Sequence, residues 1–148
     1  MTKEVLISIS GIQMMDDDHD NVEIITTGEY FFRNGNHYIL YEELVEGFTG
    51  TTKNMIKIKT DQLEITKKGI TNATMKFTTN EKKLTSYITP YGEMMIGIQT
   101  RQIAIEEQED KMQIKVDYAL DINYDHVSDC HIIMDIQSKA VADLSLHS

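Results

Sequence analysis

The chain has one cysteine, one proline and no tryptophan in 148 residues. A single cysteine, Cys130, cannot form an internal disulfide, which excludes a disulfide-stapled scaffold and agrees with a reducing compartment. One proline and eight glycines leave no Pro/Gly-rich linker, and no repeat or low-complexity tract is visible. The chain therefore reads as one domain over residues 1–148, with 138–148 as a loose tail or short helical turn. No apolar run approaches the ~20 residues that a membrane-spanning helix needs. Met1 to Glu4 lead straight into Val5-Leu6-Ile7, too short a stretch for the core of a secretory signal, so the expected location is cytoplasmic. Positive charge is scarce as well: 14 Lys and Arg face 24 Asp and Glu, for a net charge of −10. Such a surface repels phosphates, and neither nucleic acid nor an anionic membrane is an expected partner.

Alternation is abundant. Val5, Ile7 and Ile9 fall at period two, as do Val22, Ile24, Thr26, Gly28, Tyr30 and Phe32. The longest such run is Met112, Ile114, Val116, Tyr118, Leu120 and Ile122, with polar or small residues between. Period two places one set of side chains on a core and the other in water, as in a half-buried strand, whereas a helix needs apolar spacings of three and four. Turn-forming residues separate the runs: Asp16 to Asn21, Asn34-Gly35-Asn36, Gly47 to Gly50, Thr60-Asp61, Lys68-Gly69, Pro90-Tyr91-Gly92, Glu106 to Asp110 and Asp125 to Asp129. Asn-Gly favours a tight hairpin because both residues tolerate positive φ. About ten strands follow, over 4–14, 22–33, 37–45, 52–59, 62–67, 70–79, 83–89, 93–105, 111–123 and 130–137.

Short connections favour an up-and-down meander. A sheet of about eight to ten antiparallel strands curls and closes, which removes exposed edges. The expected fold is thus an all-β, antiparallel up-and-down barrel, with a two-sheet sandwich as the alternative. Gly28 and Gly97 sit inside strand runs, where glycine commonly marks a bend or bulge.

Four stretches carry a family resemblance: Thr26-Thr27-Gly28-Glu29-Tyr30, Tyr38 to Glu43, Tyr91 to Ile96, and Thr100-Arg101-Gln102-Ile103. Their order and spacing resemble the YwiB-like family of small bacterial proteins, over nearly the whole chain. The resemblance implies a calycin-like barrel, similar in shape to lipocalins and fatty-acid-binding proteins. It implies no activity and no cofactor, and it supplies no catalytic motif.

Candidate sites follow from residue chemistry. Asp16, Asp17, Asp18 and Asp20 could hold a hard cation, but they lack the spacing, the glycine and the terminal Glu of an EF-hand loop, and read as a solvated turn. His126, Cys130 and His131 are possible soft-metal ligands. Cys130 and His131, however, are strand neighbours that point to opposite faces, and Cys130 shares the face of Ile132, Met134 and Ile136. No metal site is assigned. Arg33 and Arg101, the two arginines, fall on outward positions and suit surface ion pairs.

The seven tyrosines are more informative. Tyr30, Tyr41 and Tyr118 fall on apolar strand faces, and a buried phenol seeks a hydrogen-bond partner. With Thr26 and Thr100, and with Met94 and Ile96 on the same face, they could line a barrel interior as polar points in an apolar pocket. The competing reading is a narrow barrel packed solid by the same side chains. Nine methionines suit either outcome.

Three functions compete. A non-catalytic barrel holding a small, largely apolar ligand is the first. A structural or interaction protein, acting as a homodimer, is the second, since Met95, Ile103 and Ile105 fall on a face assigned outward. Catalysis is third, because no nucleophile elbow, phosphate loop, HExxH or paired-cysteine motif is present.

Overall fold

In the computed structural model, residues 1–11, 23–44 and 47–140 are described. Ten strands follow in chain order. They are β1 Glu4–Ser10, β2 Glu23–Arg33, β3 Asn36–Leu44, β4 Thr51–Ile58, β5 Gln62–Gly69, β6 Ala73–Thr78, β7 Lys82–Thr89, β8 Gly92–Glu107, β9 Lys111–Ile122 and β10 Asp125–Ser138. All belong to one antiparallel sheet in the order β6-β5-β4-β3-β2-β1-β10-β9-β8-β7. That order is sequential once the chain ends meet at β1 and β10, where Val5 to Ser10 pair with Ser138 to Ile133. The meander therefore closes on itself as a nearly closed barrel, and the expected architecture holds over the sandwich.

Closure is incomplete between β6 and β7. The two are joined by one bridge, in which Asn72 and Ile88 exchange backbone hydrogen bonds of 2.9 Å. Phe77 on β6 packs edge-on against Tyr118 on β9, with ring centroids 5.2 Å apart. This contact ties β6 to β9 across the barrel interior. Alternation is realised on β1 and β9: Val5, Ile7, Ile9 and Met112, Ile114, Val116 are buried, while their neighbours along each strand are more exposed. Among the described residues, no helix is long and apolar enough to cross a membrane.

Three departures from simple alternation shape the barrel. First, β8 is interrupted by a bulge between Thr100 and Gln102. The extra residue resets the face, because side-chain direction depends on parity. Ile103 and Ile105, expected to point outward, instead pair with Val116 and Ile114 and pack on the core. Second, β10 begins at Asp125 rather than 130. Asn123 and Tyr124 both have positive φ, +50° and +73°, so a two-residue turn makes the reversal that the sequence suggests for Asp125 to Asp129. A further bulge between His126 and Ser128 restores the register.

The third departure is a gap in the wall. Ladder pairing of β2 with β1 runs from Glu23 to Glu29, but pairing of β2 with β3 covers only Glu29 to Arg33 against Leu40 to Asn36. Residues 23–28 and 41–44 thus diverge. Gly28 stands at the fork, where an added Cβ would lie 2.4 Å from the Leu40 carbonyl oxygen and 2.7 Å from Ile7 Cδ1. Glycine is required there for close strand approach, not for a bulge.

Candidate functional site

The middle of the barrel is filled. Phe77, Ile39, Ile56, Ile98, Ile114 and Met134 are all less than 2% exposed, at the close packing typical of a protein interior. Open volume lies instead at the wall and ends. The fork between β2 and β3 opens a cavity of about 530 Å³. Thr26, Thr27, Gly28 and Glu29 form one side, and Leu40, Tyr41, Glu42, Lys53 and Asn54 the other. That volume is within the ~300–1,000 Å³ range of small-molecule sites.

Behind this slot, inward positions of three successive strands carry polar side chains where apolar ones would be expected. Lys67 Nζ on β5 donates to Glu43 Oε1 on β3 (2.6 Å) and to Asn54 Oδ1 on β4 (2.8 Å). Asn54 Nδ2 donates to the same Glu43 oxygen (2.9 Å) and to the Thr52 carbonyl (3.3 Å). Lys67 is 8% and Asn54 2% exposed. A charge withdrawn this far from water is tolerable only when paired and hydrogen-bonded, and each of the three supplies what the others need. Tyr41 and Tyr87 stand close by. Burial, then the nearby Glu43 carboxylate, raises both phenols, Tyr87 to about 12 and Tyr41 further. Both remain neutral hydroxyls at physiological pH.

A second polar group occupies the opposite end. The Tyr30 hydroxyl shares a 2.7 Å hydrogen bond with His37 Nδ1, and His37 Nε2 lies 3.5 Å from Glu107 Oε2. Burial, then the Glu107 charge, raises the Tyr30 phenol. A cleft of about 370 Å³ borders His37 and Glu107, walled by Phe32, Ile58 and Ile105. Glu107 reaches this position because the β8 bulge has reset the parity.

The structure distributes the seven sequence-predicted residues over three places. Thr26 and Tyr41 line the slot. Tyr30 belongs to the far end with His37. Ile96, Thr100 and Tyr118 are buried in the wall packing, and Met94 lies half-buried against it. Tyr118 is raised by burial and by its contact with Cys130. Thr100 Oγ1 is buried with no hydrogen-bond partner among the described residues. The seven do not converge on one central pocket. Sequence reasoning missed Glu43, Asn54 and Lys67 because charged and polar residues on a strand read as outward. The parity signal was present, since Lys67 alternates with Leu63 and Ile65, and Asn54 with Ile56 and Ile58.

The remaining candidates resolve individually. Cys130 is buried with its Sγ 3.3 Å from Ser128 Oγ, whereas His131 points outward and pairs with Asp117. No group of three or more His, Cys, Asp or Glu among the described residues could hold a metal ion. Asp16 to Asp20 lie outside the described residues. Arg101 pairs with Asp129 at 2.9 Å on the surface. With Ile103 and Ile105 turned to the core, the outward apolar face expected for a dimer contact loses two of its three residues.

Comparison with known proteins places this geometry. The model of the family described as "Domain of unknown function (DUF1934)" matches residues 7–134. A curated relative, the uncharacterized β-barrel protein YwiB of Bacillus subtilis (strain 168), is 23% identical over 124 residues, covering 82% of this chain and 86% of the relative. The crystal structure of the Bacillus subtilis ywiB protein superposes with a TM-score of 0.77 at 20% identity, over 92% of both chains. At that identity the likeness establishes the fold.

Proposed function

The chain belongs to this DUF1934 family of unknown function, and on that premise we propose that it is a non-catalytic, calycin-like binding barrel of the cytoplasm that takes a small ligand through the β2–β3 slot. The observation that carries the reading is the coincidence of a strand fork, a cavity of about 530 Å³ and a buried polar group at its inner wall. Asn54 belongs both to the cavity lining and to the Lys67–Glu43 cluster. A ligand in the slot would lay apolar parts against Leu40 and the Tyr41 ring and bring a polar end to Asn54. This narrows the expectation of a largely apolar ligand to an amphipathic one, and moves it from the barrel centre to the wall. Lys67 and Glu43 neutralise each other, which suits recognition rather than proton transfer. The homodimer reading has lost two of the three residues on which it stood, Ile103 and Ile105.

Native mass spectrometry of protein purified from its own host tests the proposal. The expected result is a retained small molecule that Thr26→Trp, filling the slot, displaces while the circular dichroism spectrum is unchanged. Unliganded wild-type protein, with backbone amides 26–28 and 41 unmoved by any added amphiphile, would refute it.

A further inference from the structure

Two lips of main chain border the slot. In an antiparallel ladder the N–H and C=O of one residue point to the same neighbouring strand, and successive residues alternate. The Tyr30 N–H donates to the Lys3 carbonyl at 2.7 Å, so Tyr30 turns toward β1, and Gly28, Thr26 and Ile24 turn the same way. Glu29, Thr27 and Ile25 therefore turn toward β3. Glu29 stands opposite Leu40 at the end of the β2–β3 ladder, so Leu40, Glu42 and Leu44 turn toward β2. Beyond that last pair, Ile25 and Thr27 on one lip and Glu42 and Leu44 on the other keep main-chain donors and acceptors with no ladder partner among the described residues. Thr27 and Glu42 line the cavity itself.

A second observation lies on the same lips. Ile25 is 65% and Leu44 85% exposed. Native proteins keep large apolar side chains off free strand edges or cover them, because the two together are a template for another strand. Charge then decides which strand fits. Glu29, Glu42 and Lys53 line the slot and are exposed, and none of them forms an ion pair among the described residues. Glu23 adds a further exposed carboxylate along the β2 lip. A second copy of this chain would bring the same carboxylates, and another net charge of −10, against them. A basic strand would meet them with opposite charge, and the aliphatic stems of its Lys or Arg residues would cover Ile25 and Leu44.

Resting on the reading of the slot as a binding site, we infer that the small ligand is a short basic peptide, which adds to the β2 lip as an extended strand. The main chain of Ile25 and Thr27 supplies affinity for an extended backbone, and Glu23, Glu29 and Glu42 select positive side chains upon it.

The test is an NMR titration of the full chain with the acetylated, amidated peptide Lys-Val-Lys-Val-Lys-Val. The controls are its Glu-Val counterpart, its two alternately N-methylated forms, and octanamide. The Lys-Val peptide should shift amides 25 and 27 and bind about tenfold or more tightly than the Glu-Val peptide, a difference of about 1.4 kcal/mol. N-methylation of one alternate set of residues should abolish binding, because that set carries the N–H groups that pair with the lip. Thr27→Pro removes a lip donor that the ladder with β1 does not use, so the fold should hold while affinity for the Lys-Val peptide falls about tenfold. The inference is overturned if the two peptides bind alike, or if neither N-methylated form is weakened. The peptide arms decide even where Thr27→Pro fails to fold. A wild-type dimer in sedimentation, with amides 25 and 27 protected from exchange, would assign the lips to a second copy and overturn it too. Shifts of amides 26–28 and 41 with octanamide but with neither peptide would leave the binding reading standing and remove only the peptide. Absence of shifts with every probe would remove both.

Discussion

The Lys67–Glu43 pair offers the most discriminating test of how the interior is built. Lys67→Met keeps the aliphatic stem and deletes the ammonium, so Glu43 loses its 2.6 Å partner and Asn54 Oδ1 its 2.8 Å donor. Breaking a fully buried ion pair from one side costs about 3–5 kcal/mol. Here the Lys67 side chain is 9% exposed but that of Glu43 is 27%, so water can stand in for part of the lost partner, and the cost falls to about 2–3 kcal/mol. Glu43→Gln keeps an acceptor beside Lys67 and removes the charge, for about 1–2 kcal/mol. The double variant removes both charges and leaves no uncompensated ion. Its cost should fall short of the sum of the singles by about 2 kcal/mol, the coupling expected of neighbours in one network. Urea denaturation reads this directly: with a slope of about 1.5–2 kcal/mol/M, Lys67→Met should lower the midpoint by about 1–2 M. A Lys67→Met midpoint within about 0.3 M of wild type, or additivity of the two singles, would show that the cluster is solvated and that the account of the inner wall is wrong.

Three further outcomes follow from particular contacts. Gly28→Ala should cost about 2–3 kcal/mol in the same assay, because its Cβ meets the Leu40 carbonyl oxygen at 2.4 Å, a main-chain atom that cannot step aside. Deleting Arg101 should cost no more than about 1 kcal/mol, since it removes the bulge residue and leaves Thr100 and Ile103 on the same inner face. Deleting Gln99 should cost more than deleting Arg101 in the same assay, since it too removes the extra residue but turns Arg101 into the buried inward position of Thr100. Raising pH should destabilise the protein above about 10, where unfolded tyrosines begin to ionise. Tyr87 stays protonated in the fold to about 12, and Tyr41 and Tyr118 further. The unfolded state therefore binds fewer protons through that window, and stability falls as pH rises. Tyrosinate absorbance should show these residues ionising late, together with unfolding, and Tyr118→Phe should flatten the alkaline limb.

Most of the fold is legible in residue order. Period-two alternation sets ten strands, Asn34-Gly35 sets a hairpin, and short connections set the meander. Each is a local rule, readable within a few residues. Parity carries those rules along a strand only while nothing is inserted. The β8 bulge breaks it at Arg101, which is why Ile103 and Ile105 read as facing the wrong way from that point on.

The sequence by itself determined an all-β chain with one apolar face per strand and a net charge of −10. Tertiary structure alone decided where the barrel is open, because the lapse in pairing between β2 and β3 depends on which strand lies opposite which. It also decided that Glu43, Asn54 and Lys67, separated in sequence by 11 and 13 positions, share one buried cluster. A lysine on a strand is placed outward by hydropathy, and only the presence of a carboxylate 2.6 Å away makes its burial affordable. Such compensation is a property of the assembled interior, and no local pattern encodes it.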